Sequence, residues 1–149
     1  MKISGTAEFN QPVEMIWKAL HDPKVLSCVI PGCKELTLRE HGTYEIVMKL
    51  GIAAVKGEYS GMVTLQDVEE PVHYVLHAEG SGTPGYVKID MDCDLQTNSD
   101  GTHLRWDCQA EVGGAIASVG NRVLAGIAKF MAAKFFKDIE KEIGKKMKD

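Results

Sequence analysis

The sequence predicts an α+β fold: a curved, seven-stranded antiparallel sheet wrapped around one long C-terminal helix, with two short helices after the first strand. Three observations predict it. Leu124, Ile127, Ala128, Met131, Phe135 and Ile139 recur at spacings of three and four, so they share one face of a helix running from about Val119 to Lys146. From Glu35 to Val112 the apolar period changes to two, the mark of strands with one dry and one wet face. At 149 residues the chain has the length of a single domain spanning 1–149, with no linker, repeat or low-complexity segment to divide it. Roughly 28 helical residues make a rod of about 40 Å, longer than a small domain is wide, so the helix must cross the whole body. Between Gly120 and Phe136 only Asn121, Arg122, Lys129 and Lys134 are polar, and so wide an apolar surface asks to be covered on most sides. A strongly twisted sheet curls, and its dry face can wrap the rod.

In chain order, Lys2 to Asn10 alternates weakly and reads as the first strand. Gln11-Pro12-Val13-Glu14 opens a helix: proline suits the first helical position, and Gln11 with Glu14 has capping-box spacing. Val13, Ile16, Trp17 and Leu20 are its buried stripe. Asp22-Pro23 ends it, and Lys24 to Ile30 forms a second short helix stopped by Pro31-Gly32. Glu35 to Glu40 is a strand ended by His41-Gly42. The apolar positions are then even from Tyr44 to Leu50, odd from Gly57 to Leu65, even from Tyr74 to Ala78, odd from Val87 to Leu95 and even from Leu104 to Val112. Glu69-Glu70-Pro71, Gly80 to Gly85 and Asn98 to Gly101 are hairpin connections. Taking Asp100-Gly101 as a two-residue turn sets Leu95 opposite Trp106 and Cys93 opposite Cys108, all on the dry face. A hydrogen-bonded 93/108 pair has Cα atoms about 5.5 Å apart, within disulfide reach. Yet the four cysteines form no CxxC pair and are too sparse for a disulfide framework, so thiols are expected.

A net charge of −4 offers no basic excess for nucleic acid. Met1 to Gly5 leads into no apolar run, so no signal peptide is expected. The most apolar window is broken by Lys129 and Lys134 and falls short of a membrane span, which makes a cytoplasmic location the expectation. Lys137, Lys141, Lys145, Lys146 and Lys148 form a basic helix end. It compensates the helix dipole or makes a peripheral contact at the inner face of the membrane.

The chemistry-bearing residues point to binding rather than catalysis. Asp90, Asp92 and Asp94 imitate the start of a calcium loop but alternate with apolar residues on a strand, and Leu95 stands where that loop needs glycine. His73 and His77 lie about 13 Å apart along one strand, too far to share a metal. No acidic residue falls on the dry face of the five alternating strands, so no general base is visible there. That face instead mixes Gly57, Gly61, Ala78 and Ala110 with Met48, Tyr59, Met91 and Trp106. Inward glycines either admit a close backbone or leave space. A filled core and an apolar cavity tipped by the hydroxyls of Tyr44, Tyr59 and Tyr74 and the Trp106 indole are both open readings.

Several segments, in order along the chain, carry a family resemblance: Asp22-Pro23, Ile30-Pro31-Gly32-Cys33, Val55-Lys56-Gly57 with Gly61, Gly101-Thr102-His103-Leu104, Gly113-Gly114, Gly120-Asn121-Arg122 and Phe135-Phe136. Over nearly its whole length the chain resembles the carbon monoxide dehydrogenase G-subunit family, which belongs to the START-like (SRPBCC, polyketide cyclase-like) superfamily. The resemblance implies a helix-grip fold with a deep hydrophobic cavity between sheet and helix. It implies a non-catalytic role beside a molybdenum hydroxylase of the carbon monoxide dehydrogenase type, in membrane recruitment or handling of a lipophilic electron acceptor such as a quinone.

The expected function is therefore non-catalytic binding of a hydrophobic ligand, an isoprenoid quinone or lipid, with no catalytic residue, no metal and no covalent cofactor. Met48, Tyr59, Met91, Trp106, Cys108, Leu124, Ile127, Phe130 and Met131 would line the site, aromatics orienting a ring and Met and Leu accommodating a flexible tail. An enzyme of the polyketide cyclase/dehydratase type is the alternative, with only Tyr or Cys to serve as inward acid or base. A structural adaptor without a pocket is a third.

Overall fold

The computed structural model describes residues 1–148, with side chains through Lys145. Lys146 and Lys148, counted above in the basic helix end, thus have side chains outside the described residues. The elements are β1 (Lys2–Phe9), α1 (Val13–Leu20), α2 (Pro23–Val29), β2 (Cys33–Leu38), β3 (Thr43–Leu50), β4 (Gly57–Glu69), β5 (His73–Gly82), β6 (Gly85–Asn98), β7 (Gly101–Gly113) and α3 (Asn121–Lys148). All seven strands form one curved antiparallel sheet in the order β1-β7-β6-β5-β4-β3-β2, so β1 and β2 are its edges. The expected architecture is thus observed.

Three local details differ from expectation. Pro12 caps α1 instead of opening it: its carbonyl accepts from the Met15 and Ile16 amides, and no side chain joins the cap, so the Gln11–Glu14 box does not form. A short 3-10 turn, Ala115–Val119, precedes α3, and Gly120 at φ 96° separates the two. Val119 therefore lies outside the helix. In the β6–β7 hairpin the turn is Ser99-Asp100, with the Asp100 amide donating to the Asn98 side chain at 3.0 Å. Leu95 then faces Leu104, Cys93 faces Trp106 and Met91 faces Cys108. The slip is two residues, so every side chain keeps its face, but Cys93 and Cys108 are no longer opposite each other. All four cysteines are free thiols.

The core is divided. A large cluster joins Ile3 and Phe9 of β1, Val13, Ile16, Trp17 and Leu20 of α1, inward residues of β5, β6 and β7, and Phe136, Ile139 and Ile143 of α3. A smaller cluster at the other end unites Val55, Ile116 and Leu124, flanked by Tyr59, Val87, Val112 and Ile127. The helix α3 makes its main backbone approaches to β1, α1, α2 and the turn before it, not to the middle strands.

His21 sits at the end of α1, stacked on Trp17 at 4.2 Å and edge-on to Tyr74, its Nδ1–H donating to the Trp17 carbonyl at 2.8 Å. Burial holds its imidazole below the ordinary value, against the opposing pull of that carbonyl and of Glu70. The unfolded chain binds the proton more readily, so stability contributed here is lost as pH falls through and below about 6.5. His73 and His77 carry the opposite sign: their bonds to Asp94 and Asp90 raise them, and that stability is lost as pH rises. Both lie on the wet face of the sheet, where solvent screening keeps their effect small. Melting curves between pH 7.5 and 5.5 should show a steeper fall in Tm for the wild type than for His21→Phe, which keeps the ring stack and cannot be protonated. Identical slopes would remove His21 from the acid limb.

Candidate ligand-binding site

Strand alternation and the placement of α3 divide the expected lining residues: Trp106, Met91 and Cys108 go with the large cluster, Leu124, Tyr59 and Ile127 with the small one, and Met48 and Met131 with neither. Met48 and Tyr59 are cross-strand partners on β3 and β4, and Met91 and Cys108 are partners on β6 and β7. Ile127 and Met131 look in from α3. Met48, Val63, Ile89 and Met131 are half-buried and belong to neither cluster. These side chains point inward from the middle of the sheet and from the first half of α3.

Other residues take different places. Leu124 is buried in the small cluster and closes one end. Trp106 is 5% exposed and part of the large cluster. The Tyr59 hydroxyl donates to the Val55 carbonyl at 2.7 Å and is thereby engaged. Tyr74 faces Cys93 across β5 and β6. Burial lifts the Tyr74 hydroxyl well above its ordinary value and the Cys93 thiol to about 12, so neither ionises near neutrality. Phe130 does not line the interior: it is 64% exposed. It lies nine positions before the fully buried Ile139, which at 3.6 residues per turn is half a turn around the helix. Its apolar character belongs to the outer side of α3, a distinction concealed by the apolar residues that stand on nearly every side of 123–136.

The inward glycines also resolve. A Cβ on Gly61 would lie 1.9 Å from the Glu79 carbonyl oxygen, and one on Gly57 2.5 Å from Pro84. Both permit close approach and neither leaves space.

Grooves open on the surface of the described residues. One, of about 430 Å³, runs between β1 (Ser4, Gly5, Thr6) and α3 (Lys129, Ala133, Lys137), with Trp106 also among its lining residues. Another, of about 610 Å³, lies on the wet face of the sheet among Lys2, Ser4, Val75, Asp92, Asp107 and Gln109, bordered also by Met91 and Cys108. On that face the histidines pair across strands with carboxylates: His73 with Asp94 at 2.8 Å, His77 with Asp90 at 2.7 Å, and His103 with Glu8. Among the described residues no group of three His, Cys, Asp or Glu could hold a metal ion, and no helix is long and apolar enough to cross a membrane.

A sheet of this order gripping a long C-terminal helix defines a helix-grip protein of the START-like kind. The profile of CoxG, the carbon monoxide dehydrogenase G-subunit, matches residues 5–144, and the chain belongs to that family. A conserved protein from Geobacillus kaustophilus is similar in structure, with a TM-score of 0.94 at 41% identity over 97% of this chain and 96% of that one. Protein CV1439 from Chromobacterium violaceum shares the fold at 12% identity, with a TM-score of 0.75 over 95% and 96% of the two chains. Protein Ms6760 from Mycobacterium smegmatis does so at 18% identity, with a TM-score of 0.71 over 97% and 92%. Among curated proteins none matches the chain.

Proposed function

We propose that this protein is a non-catalytic carrier of a hydrophobic ligand, an isoprenoid quinone or lipid-like molecule, that serves a molybdenum hydroxylase of the carbon monoxide dehydrogenase type. The observation that carries the reading is the half-buried, apolar set of Met48, Val63, Ile89 and Met131 between two closed clusters. Flexible thioethers and branched side chains can reshape around an isoprenoid tail. Membership of the CoxG family supports the partner, since the family name denotes an accessory component of that enzyme. A cyclase-like enzyme would need an inward acid or base, and the inward Tyr59 hydroxyl is committed to a backbone carbonyl while burial keeps Tyr74 and Cys93 protonated.

A peripheral membrane contact belongs to the same reading. Phe130 and Val123 stand exposed on α3 beside Arg122, Lys129 and Lys137, and residues 121–137 contain no acidic side chain. Aromatic residues among cations suit an anionic lipid surface. Titration with menaquinone, read by quenching of Trp17 and Trp106 fluorescence, is expected to saturate, and Met131→Trp, which fills the space, is expected to weaken binding about tenfold or more. Non-saturable quenching identical in both proteins would overturn the carrier reading.

A further inference from the structure

We propose that β2, the open edge of the sheet, is a self-association surface: a second copy of this chain adds its own β2 antiparallel to it, about a two-fold axis at Thr37. The inference is independent of the carrier reading.

The two edges of the sheet differ. Beside β1 lies α3, fastened by the edge-to-face contact of Phe9 with Phe136 at 6.2 Å and by the Asn10 amide, which donates to Glu140 Oε1 at 3.3 Å. β2 follows α2 at its Cys33 end, and beyond that end it stands open. Glu35, Thr37, Leu38, Arg39 and Glu40 are exposed, Leu38 by 53%, and Leu36 is half-buried. Strand alternation shows which backbone groups face away from the sheet. The Arg39 amide donates to the Thr43 carbonyl at 2.7 Å, so Arg39, Thr37 and Glu35 turn their backbone groups toward β3. Leu36 and Leu38 then turn theirs outward. An exposed edge of this kind is a template for another strand.

The edge is complementary to itself. With Thr37 of the two copies opposite each other, Leu36 faces Leu38 of the second copy, and Leu38 faces Leu36 of the second copy. These are the residues whose amides and carbonyls point outward, so each pair exchanges backbone hydrogen bonds in both directions. The two Thr37 residues form a non-hydrogen-bonded pair, with Cα atoms about 4.5 Å apart, and such a threonine pair is a favourable one. On the wet face Glu35 meets Arg39 of the second copy at either end of the contact. Arg39 already holds Glu45 at 2.7 Å, so each guanidinium would stand between two carboxylates. On the dry face the leucines of both copies cover one another. Moving the axis to Leu36 or Leu38 would keep the faces but separate Glu35 from Arg39, so charge selects the register. The contact is isologous, and an axis normal to the sheet keeps both dry faces, with both α3 helices, on one side.

The test is sedimentation velocity of the full chain from about 5 to 500 µM. The contact is short, so the weight-average sedimentation coefficient should rise across this range with a Kd of about 10–100 µM. Leu38→Pro removes an outward amide and leaves the bonds to β3 in place, so the fold is kept; it should weaken association about tenfold or more. Arg39→Glu sets like charges opposite each other and should weaken it similarly. Glu35→Arg added to Arg39→Glu restores the pair with its signs exchanged and should return the Kd to within about threefold of the wild type. A wild type that is monomeric at the highest concentration would overturn the proposal. So would a dimer indifferent to Leu38→Pro, or one that the charge exchange does not recover.

Discussion

Ile139→Ala should destabilise the protein by about 2–5 kcal/mol, whereas Met131→Ala, two turns earlier on the same helix, should cost about 1 kcal/mol or less. Ile139 has no solvent exposure and lies in the large cluster between Phe136 and Ile143, so truncation leaves a cavity that rigid neighbours cannot fill. Met131 is half-buried and outside both clusters, so truncation removes atoms that are not packed into the core. Urea denaturation with equal m-values would give the two figures directly. Equal costs would mean that α3 is packed uniformly and that no container exists beneath its first half. The helix therefore divides by role: residues from Phe135 onward hold it to the body, and the turns before them form a wall.

Gly61→Ala should be the most damaging glycine substitution on the sheet, costing about 3 kcal/mol or more. The new Cβ would stand 1.9 Å from the Glu79 carbonyl oxygen and 2.7 Å from Gly80 Cα. Both are backbone atoms of the paired strand β5, where Gly61 faces Gly80, and they can retreat only by breaking β4–β5 pairing. The control is Gly126→Ala. No atom lies within 4 Å of its added Cβ, and the residue is inside α3, so replacement should stabilise by about 0.5–1 kcal/mol through helix propensity. Thermal melts of the two variants should move in opposite directions. A tolerated Gly61→Ala would show that the strands there have room to part.

These two glycines illustrate what the sequence could and could not reveal. Strand alternation located Gly61 on the dry face correctly, because side-chain direction in a strand depends only on parity. Whether its missing side chain meant space or contact depended on how closely β5 approaches, which no spacing encodes. The hairpin register failed for a similar reason. Ser99-Asp100 and Asp100-Gly101 are both acceptable turns, and the choice between them moved Cys93 from Cys108 to Trp106 without altering a single face. Phe130 misled because α3 is apolar nearly all round at its start, so periodicity could not tell the wall from the outside. The long helix, the sheet and its wet and dry faces were legible because each repeats one physical rule over many residues. The close contact of Gly5 with Trp106 was not: the two lie about a hundred residues apart, and their relation exists only once β1 pairs with β7.

The carrier reading stands on the half-buried apolar set outside the two clusters, and native mass spectrometry of gently purified protein, followed by solvent extraction, tests it most directly. The expected result is a co-purified isoprenoid or lipid-like adduct in near one-to-one ratio, or an empty protein that takes up added menaquinone stoichiometrically, with Met131→Trp showing neither. Protein that is empty on purification and still empty after menaquinone is added would contradict it.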